Sequence, residues 1–536
     1  MGRVTSRKSS GRIGVQVAIG LQAGQVIEVQ RQVRLDRARQ AARIRRATRM
    51  LLPMLVLAVG WSSAGSLWCQ AADTPIAAVV AAVRGSRFED ALRLSREALR
   101  TAPGDTRLWT LQGMAYAGLG QQPAALSAYE HALKLKQDYL PALEGAAQTA
   151  FRQGDAAAKP LLLRVLEQRP DDATSHAMLG SLAYRQHHCD EAIGQFQQAT
   201  AALAGEPNAL AEYGVCLGGL DRFDEAAKVF TQLVAIDNAP WQARYYLALS
   251  QWKANLGDVA MRTIEPLLES TPAEEDALTL GAEIAEDRGE TQRAIDLLRK
   301  AIQEHPKTAD AYLQFAYLSG NHASFQVGID MLNAGLTQMP REALLYLARG
   351  ILYGQMAESE KSMSDLERAN ELDPQLSFTG AAKGVLESQQ NKPEQALATF
   401  RADAKAHPKD AFAQYLLAEA LGRESKEPGS QTYREELAAA NRAMKLDPKM
   451  TDARDLLAAL YLEDGLTQKS IEQSEDALRQ DPKDEQAVFH LILALRKTDR
   501  KSEVPALVKR LTELRKEKAS VPKRFQMYEV SGAKPQ

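Results

Sequence analysis

The stretch "RAIDLLRKAIQEHP" (293–306) decides how this chain folds, and its last residue carries most of the information. Ala294, Leu298 and Ala301 sit at helical spacing, on one side of a segment rich in helix formers. Pro306 then stops the segment, because proline lacks an N–H and crowds the turn before it. Prolines return at Pro340, Pro374 and Pro408, each 34 residues further on, and Pro272 stands 34 residues before. A helix stop at so even an interval is internal self-similarity, and self-similarity takes precedence over every other feature of a sequence.

More than the proline recurs. Residues 275–306 hold Ala282, Gly289, Ala294, Leu298 and Ala301 in order, and 343–374 hold Tyr346, Gly350, Tyr353, Leu366 and Ala369. Residues 377–408 carry Gly384, Ala396 and Phe400, and 451–482 carry Ala458, Tyr461, Gly465 and Ala477. The clearest copies lie earlier: Trp109, Gly113, Tyr116, Gly120, Ala125, Tyr129 and Ala132 in 108–133, then Gly180, Ala192, Phe196 and Ala199 in 178–199. These residues resemble the tetratricopeptide repeat, a helix–turn–helix unit of 34 residues with a W-x2-L-G-x2-Y, A-x3-F and terminal-proline pattern.

Each position has a physical reason. Small residues at the eighth, twentieth and twenty-seventh positions let two antiparallel helices approach closely. Larger ones at the fourth, eleventh and twenty-fourth fill the seam to the next repeat. Glycine near the fifteenth permits the tight turn between helices. A single hairpin leaves one face apolar, so only stacking completes a core. The predicted fold class is all-α, and the resemblance implies an α-solenoid, a right-handed superhelix of about thirteen antiparallel hairpins over 72–517.

Coverage is uneven. A weak first copy ends at Pro103, and the second has Gln137 where proline is expected. The third, 140–170, carries Pro160 near the start of its second helix; the fifth, 208–238, keeps Gly214, Ala226 and Phe230. The sixth, 241–272, is poor and predicts extra residues in its turn. Between Pro408 and Pro448 the period lengthens to 40, with "KEPGSQ" (426–431) as the expected insertion. The last hairpin, 486–519, turns polar as a cap should, and the tail 518–536 has no periodicity.

The N-terminal region differs. Residues 1–49 form a basic extension with twelve arginines or lysines against Glu28 and Asp36, and residues 50–71 follow without a charge. Basic flank, short apolar run and small-residue end predict a secretory signal peptide cleaved after Ala71, or else an N-terminal anchor. Leu51–Gly60 is short for a membrane span. An extension of this length before a signal core suggests a misassigned start, with translation beginning nearer Val33 or Met50. A nucleic-acid or anionic-lipid arm at 34–49 is the other reading, and the myristoylation pattern of "MGRVTS" is at odds with export. The expected location is the periplasm or the exterior, with the anchored form as the alternative.

Charge and chemistry narrow the function. A net charge of −2 gives no argument for nucleic-acid binding. No P-loop, H-E-x-x-H, C-x-x-C-H or paired C-x-x-C occurs, and "GWSSA" (60–64) resembles a nucleophile elbow only loosely. "HHCDE" (187–191) offers His187, His188, Cys189, Asp190 and Glu191 as ligand atoms, yet it occupies the turn between helices, where consecutive residues rarely converge on one metal. No metal, cofactor or catalytic residue is predicted. Cys189 could approach Cys216, since the start of one repeat's second helix packs near the end of the next repeat's first, and geometry decides whether the two are bonded.

The family resemblance implies that the first helix of each hairpin lines a groove and that its second, fifth, ninth and twelfth positions meet a ligand. In four successive units these positions include Leu313, Tyr317, Leu344, Leu347, Ile351, Phe378, Phe412 and Tyr415. They read either as an apolar partner surface or as inter-repeat core. The preceding unit is acidic there, with Asp276, Glu283, Glu286 and Asp287. The lysine, asparagine and arginine set with which some relatives grip a C-terminal carboxylate is absent: the sites carry Asp276, Asp310, Gln314, Asp452 and Asp455. The expected function is a non-catalytic scaffold or adaptor that binds a protein or peptide partner, with membrane contact only through an uncleaved N-terminal segment. Its alternatives are a component of an exopolysaccharide export or outer-membrane assembly apparatus, and an enzyme with an unrecognised site.

Overall fold

The computed structural model describes residues 75–374, 376, 378–424 and 429–520. The basic extension 1–49, the segment 50–71 read as a signal peptide, residues 426–428 of the expected insertion and the tail from 521 lie outside the described residues. Among the described residues there are helices and no strand, and none of the helices is long and apolar enough to cross a membrane. The chain divides into two units, whose described parts are 75–294 and 295–520.

In the first unit, antiparallel hairpins span 75–101, 106–135, 140–168, 173–198, 207–234 and 241–268, followed by helix Glu275–Asp287. In the second they span 310–338, 343–372, 378–406, 411–446, 451–480 and 485–520. Helix Thr291–Glu304 contains the division, and with Glu275–Asp287 it brings the helix pairs in chain order to thirteen. Within each unit a second helix packs against its own first helix and against the first helix of the next pair. The final helix runs to Ser520, past the boundary expected at 517.

The recurring proline works as the sequence predicts. Helices end at Thr101, Glu304, Gln338, Leu372, Ala406, Leu446 and Gln480, each two residues before a proline. The residue between is extended, as a residue before proline must be: Asp373 has φ −143° and ψ 90°, Asp447 −128° and 94°. The proline has a second use. At five of the repeat junctions the proline carbonyl meets the side chain six residues on, at the fourth position of the next repeat. Trp109 Nε1 donates to Pro103 at 2.8 Å, Tyr312 to Pro306 and Tyr346 to Pro340 at 3.2 Å, and Arg454 to Pro448 at 2.9 Å. His176 Nε2 makes the equivalent contact to Pro170 at 2.8 Å. A carbonyl beyond the helix end, with no intrahelical partner, is thereby satisfied.

Helix spacing follows from glycines facing rings sixteen residues on. A Cβ at Gly113 would stand 2.7 Å from the Tyr129 ring, at Gly180 2.7 Å from Phe196, at Gly214 2.6 Å from Phe230 and at Gly384 2.5 Å from Phe400. The twenty-fourth side chain thus lies over its own hairpin's eighth position as well as in the seam. On its other side Phe196 meets Tyr213 of the next first helix at 5.4 Å between ring centres, and Phe230 meets Tyr246 at 5.5 Å. Each fully buried ring contributes about 2–3 kcal/mol. The small twentieth and twenty-seventh residues Ala125, Ala192, Ala226, Ala132, Ala199 and Ala369 are wholly buried.

The turns repeat too. The fifteenth position has positive φ in every regular pair: Gly120 (73°), Gly289 (78°) and Gly465 (73°), but also His187 (63°), Asp221 (58°), Asn255 (63°), Ala323 (53°), Ala357 (60°) and Asn391 (59°). Asn255 corrects the expectation for the sixth hairpin. Its turn holds no extra residues; the irregularity lies in the second helix, which contains Pro266 and ends at Leu268. The third hairpin accommodates Pro160 within the first turn of helix Ala158–Gln168, where a missing N–H costs nothing.

Candidate partner-binding face

First helices of successive hairpins lie beside one another, so their outward positions form a continuous face within each unit. The structure places the eight predicted groove residues on this face of the second unit, but not as an open stripe. Leu313, Leu347 and Phe378 are buried, and Tyr317, Leu344, Ile351, Phe412 and Tyr415 are half-buried. Leu344, Leu347, Ile351, Phe378 and Phe412 meet in one cluster with Leu366 and Leu386. The aromatic rings continue from Phe378 to Phe412 at 6.3 Å and on to Tyr415 at 6.2 Å. Fifth-position side chains point into the space between neighbouring first helices, which accounts for the burial of Leu313 and Leu347. The exposed remainder is the edges of Tyr317, Leu344, Ile351, Phe412 and Tyr415.

A polar clamp ties helix Ala343–Gln355 to the second helices on either side of it. Arg349 makes a bidentate pair with Asp365, at 2.7 Å for both bonds, and donates to Asn333 Oδ1 at 2.6 Å, joining three helices. Its guanidinium also lies over Tyr346 and Tyr353, 5.4 and 6.0 Å from the ring centres. Asp365 is 6% exposed, and breaking a pair buried to that degree costs about 3–5 kcal/mol. In the first unit, Asp287 of the acidic set accepts from Trp252 Nε1 at 2.7 Å, and Glu286 accepts from Thr291 at 2.8 Å.

In the sequence, Asp452 and Asp455 stand out only as departures from the carboxylate-gripping set. In the second unit the structure brings both of them near Asp484, and Glu419, Asp452 and Asp455 act together on Tyr415. Burial, followed by these acidic neighbours, raises the Tyr415 phenol well above its usual range. The signal in the sequence was present: acids at the second and fifth positions of one first helix, and at the ninth of the helix before it.

The "HHCDE" cluster resolves into separate roles. His187 holds the left-handed turn position, His188 precedes the helix, and Cys189 is bonded to Cys216 of the next first helix, with Cα atoms 5.1 Å apart. Among the described residues no group of three or more His, Cys, Asp or Glu side chains is arranged to hold a metal ion.

Three family models match the chain: a cytochrome c-type biogenesis protein H TPR domain over residues 86–209, and tetratricopeptide repeats over 245–309 and 343–376. Superkiller protein 3 of Schizosaccharomyces pombe is 24% identical over 234 residues, which cover 40% of this chain and 17% of that protein. The chain therefore spans about a sixth of that relative's length. Among solved structures, yeast Tom70 is similar at 16% identity and a TM-score of 0.38, covering 81% of this chain and 90% of Tom70. The Naa15/Naa10 complex bound to HypK-THB contains a chain similar at 14% identity and a TM-score of 0.35, covering 84% of this chain and 90% of that one.

Proposed function

Because the chain is a tetratricopeptide-repeat protein, we propose that it is a non-catalytic scaffold of the cell envelope that presents the face of its first helices to a peptide or protein partner. The observation that carries this reading is the row of half-buried aromatic and aliphatic edges at Tyr317, Leu344, Ile351, Phe412 and Tyr415. A partner with apolar anchors covers such edges, and the clamp of Arg349 on Asp365 and Asn333 holds the helix that carries Leu344 and Ile351 between its two neighbouring second helices.

The Cys189–Cys216 bond supports the envelope location, since disulfides persist in oxidising compartments and are rare in the cytosol. The basic flank and apolar run of 1–71 support it independently. In intact cells, both cysteines should resist alkylation until a reductant is added; free thiols would remove this support.

The groove is tested by replacing Tyr317, or Leu163 as a control that is 46% exposed in the first unit, with a photo-crosslinking amino acid. Crosslinked partners should appear from position 317 and not from 163. Equal yields at the two sites, or none at 317, would overturn the reading.

A further inference from the structure

Hairpin 451–480 carries two carboxyl groups whose strongest charged neighbours are other acids. Helix Thr451–Glu463 opens with Asp452, and Asp455 follows one turn later on the same side. Asp455 is 9% exposed; its carboxyl shares a hydrogen bond with Asp484, while its Oδ1 has no hydrogen-bond partner. An unused carboxyl oxygen at that depth is costly unless something is to fill it.

The neighbours increase the cost. Asp484, facing Asp455, caps helix Glu485–Leu495 by accepting from the N–H groups of Gln486 and Ala487 at 2.9 and 3.0 Å. Asp481 lies in the same turn as Asp484, Asp452 is on the same helix as Asp455, and Tyr415 of helix Ala411–Glu424 is within electrostatic reach of both. The charged groups that act most on them are acidic: Asp484 and Glu419 on Asp452, and Asp484, Asp452 and Asp481 on Asp455. Glu419, the furthest of them along the face, is satisfied by Arg423 at 2.7 Å. Burial, and after it the carboxyls of Asp484, Asp452 and Asp481, push Asp455 up to about 9, so it keeps its proton at neutral pH. Asp452 is exposed at the rim, which leaves the cluster open to solvent.

We propose that Asp452, Asp455 and Asp484, walled by Tyr415, form a socket for the guanidinium of an arginine in a peptide laid along the first helices. The inference deepens the scaffold reading and rests on it. A planar fork of N–H donors suits carboxyls that face one another, and it supplies the charge that the site lacks. On entry of the cation Asp455 gives up its proton, so the buried acid changes partner and is not left bare.

The test uses the full chain and fluorescein-labelled Leu-Ala-Arg-Ala-Leu amide, with the same peptide carrying neutral citrulline in place of arginine as the comparison. The arginine peptide should bind at least tenfold more tightly. Asp455→Asn and Asp452→Asn should each reduce it towards the citrulline level while leaving the citrulline peptide unchanged, with folding checked by thermal unfolding. Equal binding of the two peptides, or binding of neither, overturns the socket. So does thermal stabilisation by calcium chloride that disappears in Asp455→Asn, which would make the site a metal site. Equal binding leaves the scaffold intact, whereas absence of crosslinks at 317 removes the scaffold reading itself.

Discussion

Replacing Gly214 by alanine tests the packing rule on which the repeat is built. The new methyl carbon would stand 2.6 Å from Phe230 Cζ and 2.8 Å from Cε1 and Cε2, where carbon contacts prefer about 3.5–4.0 Å. The ring must therefore retreat by about 1 Å. It has nowhere to go, being 2% exposed with Tyr246 behind it at 5.5 Å. Overpacking of this kind costs about 1–3 kcal/mol, against a gain of about 1 kcal/mol from helix propensity. We expect a net loss of about 1 kcal/mol, read from urea unfolding and from hydrogen exchange in helix Pro207–Gly219. Phe230→Leu alone should cost about 1–2 kcal/mol. In the double variant the methyl occupies the vacated space, so the combined loss should fall short of the sum by about 1 kcal/mol or more. Stabilisation by Gly214→Ala, or strict additivity, would refute the claim that the ring sets the helix spacing.

Two further outcomes follow from the turns and the acidic cluster. Ala357 sits at φ 60° where other repeats use glycine, a conformation costing an L-residue about 1–2 kcal/mol; Ala357→Gly should stabilise its hairpin by about 0.5–1 kcal/mol after the extra chain entropy of glycine, and a lower unfolding midpoint would contradict this. The Asp455 carboxyl moves from its ordinary 3.8 up to about 9 on folding. The folded state therefore holds a proton that the unfolded chain releases, and the stability it contributes is complete below 3.8 and is lost as pH rises towards 9. Asp455→Asn should match the parent near pH 4 and exceed it increasingly above, by up to about 1.4 kcal/mol per pH unit; parallel stability curves would show that Asp455 ionises freely.

Most of the architecture was legible because its signals are local. Pro306, Pro340, Pro374 and Pro408 stop helices where their spacing indicates, and Gly113, Gly180 and Gly384 face rings that the repeat pattern already contains. The sixth hairpin misled because Asn255 was not recognised as the turn residue: asparagine tolerates the left-handed region without announcing it as glycine does. The binding face was less legible. Whether Leu347 is core or surface depends on how closely two first helices approach, a distance between elements that no single repeat encodes. Asp455 was hidden for the same reason, since its depth and its meeting with Asp484 come from stacking one hairpin on the next.

The bonds to the proline carbonyls make the joints between repeats individually adjustable. The acceptor is always the same kind of atom, while the group reaching it is an indole at Trp109, an imidazole at His176, a phenol at Tyr312 and Tyr346, and a guanidinium at Arg454. These groups differ in charge, length and rigidity, so each of these junctions has its own chemistry on a shared geometry. Within each unit, a junction can therefore be changed by one side chain without rebuilding the hairpins on either side of it.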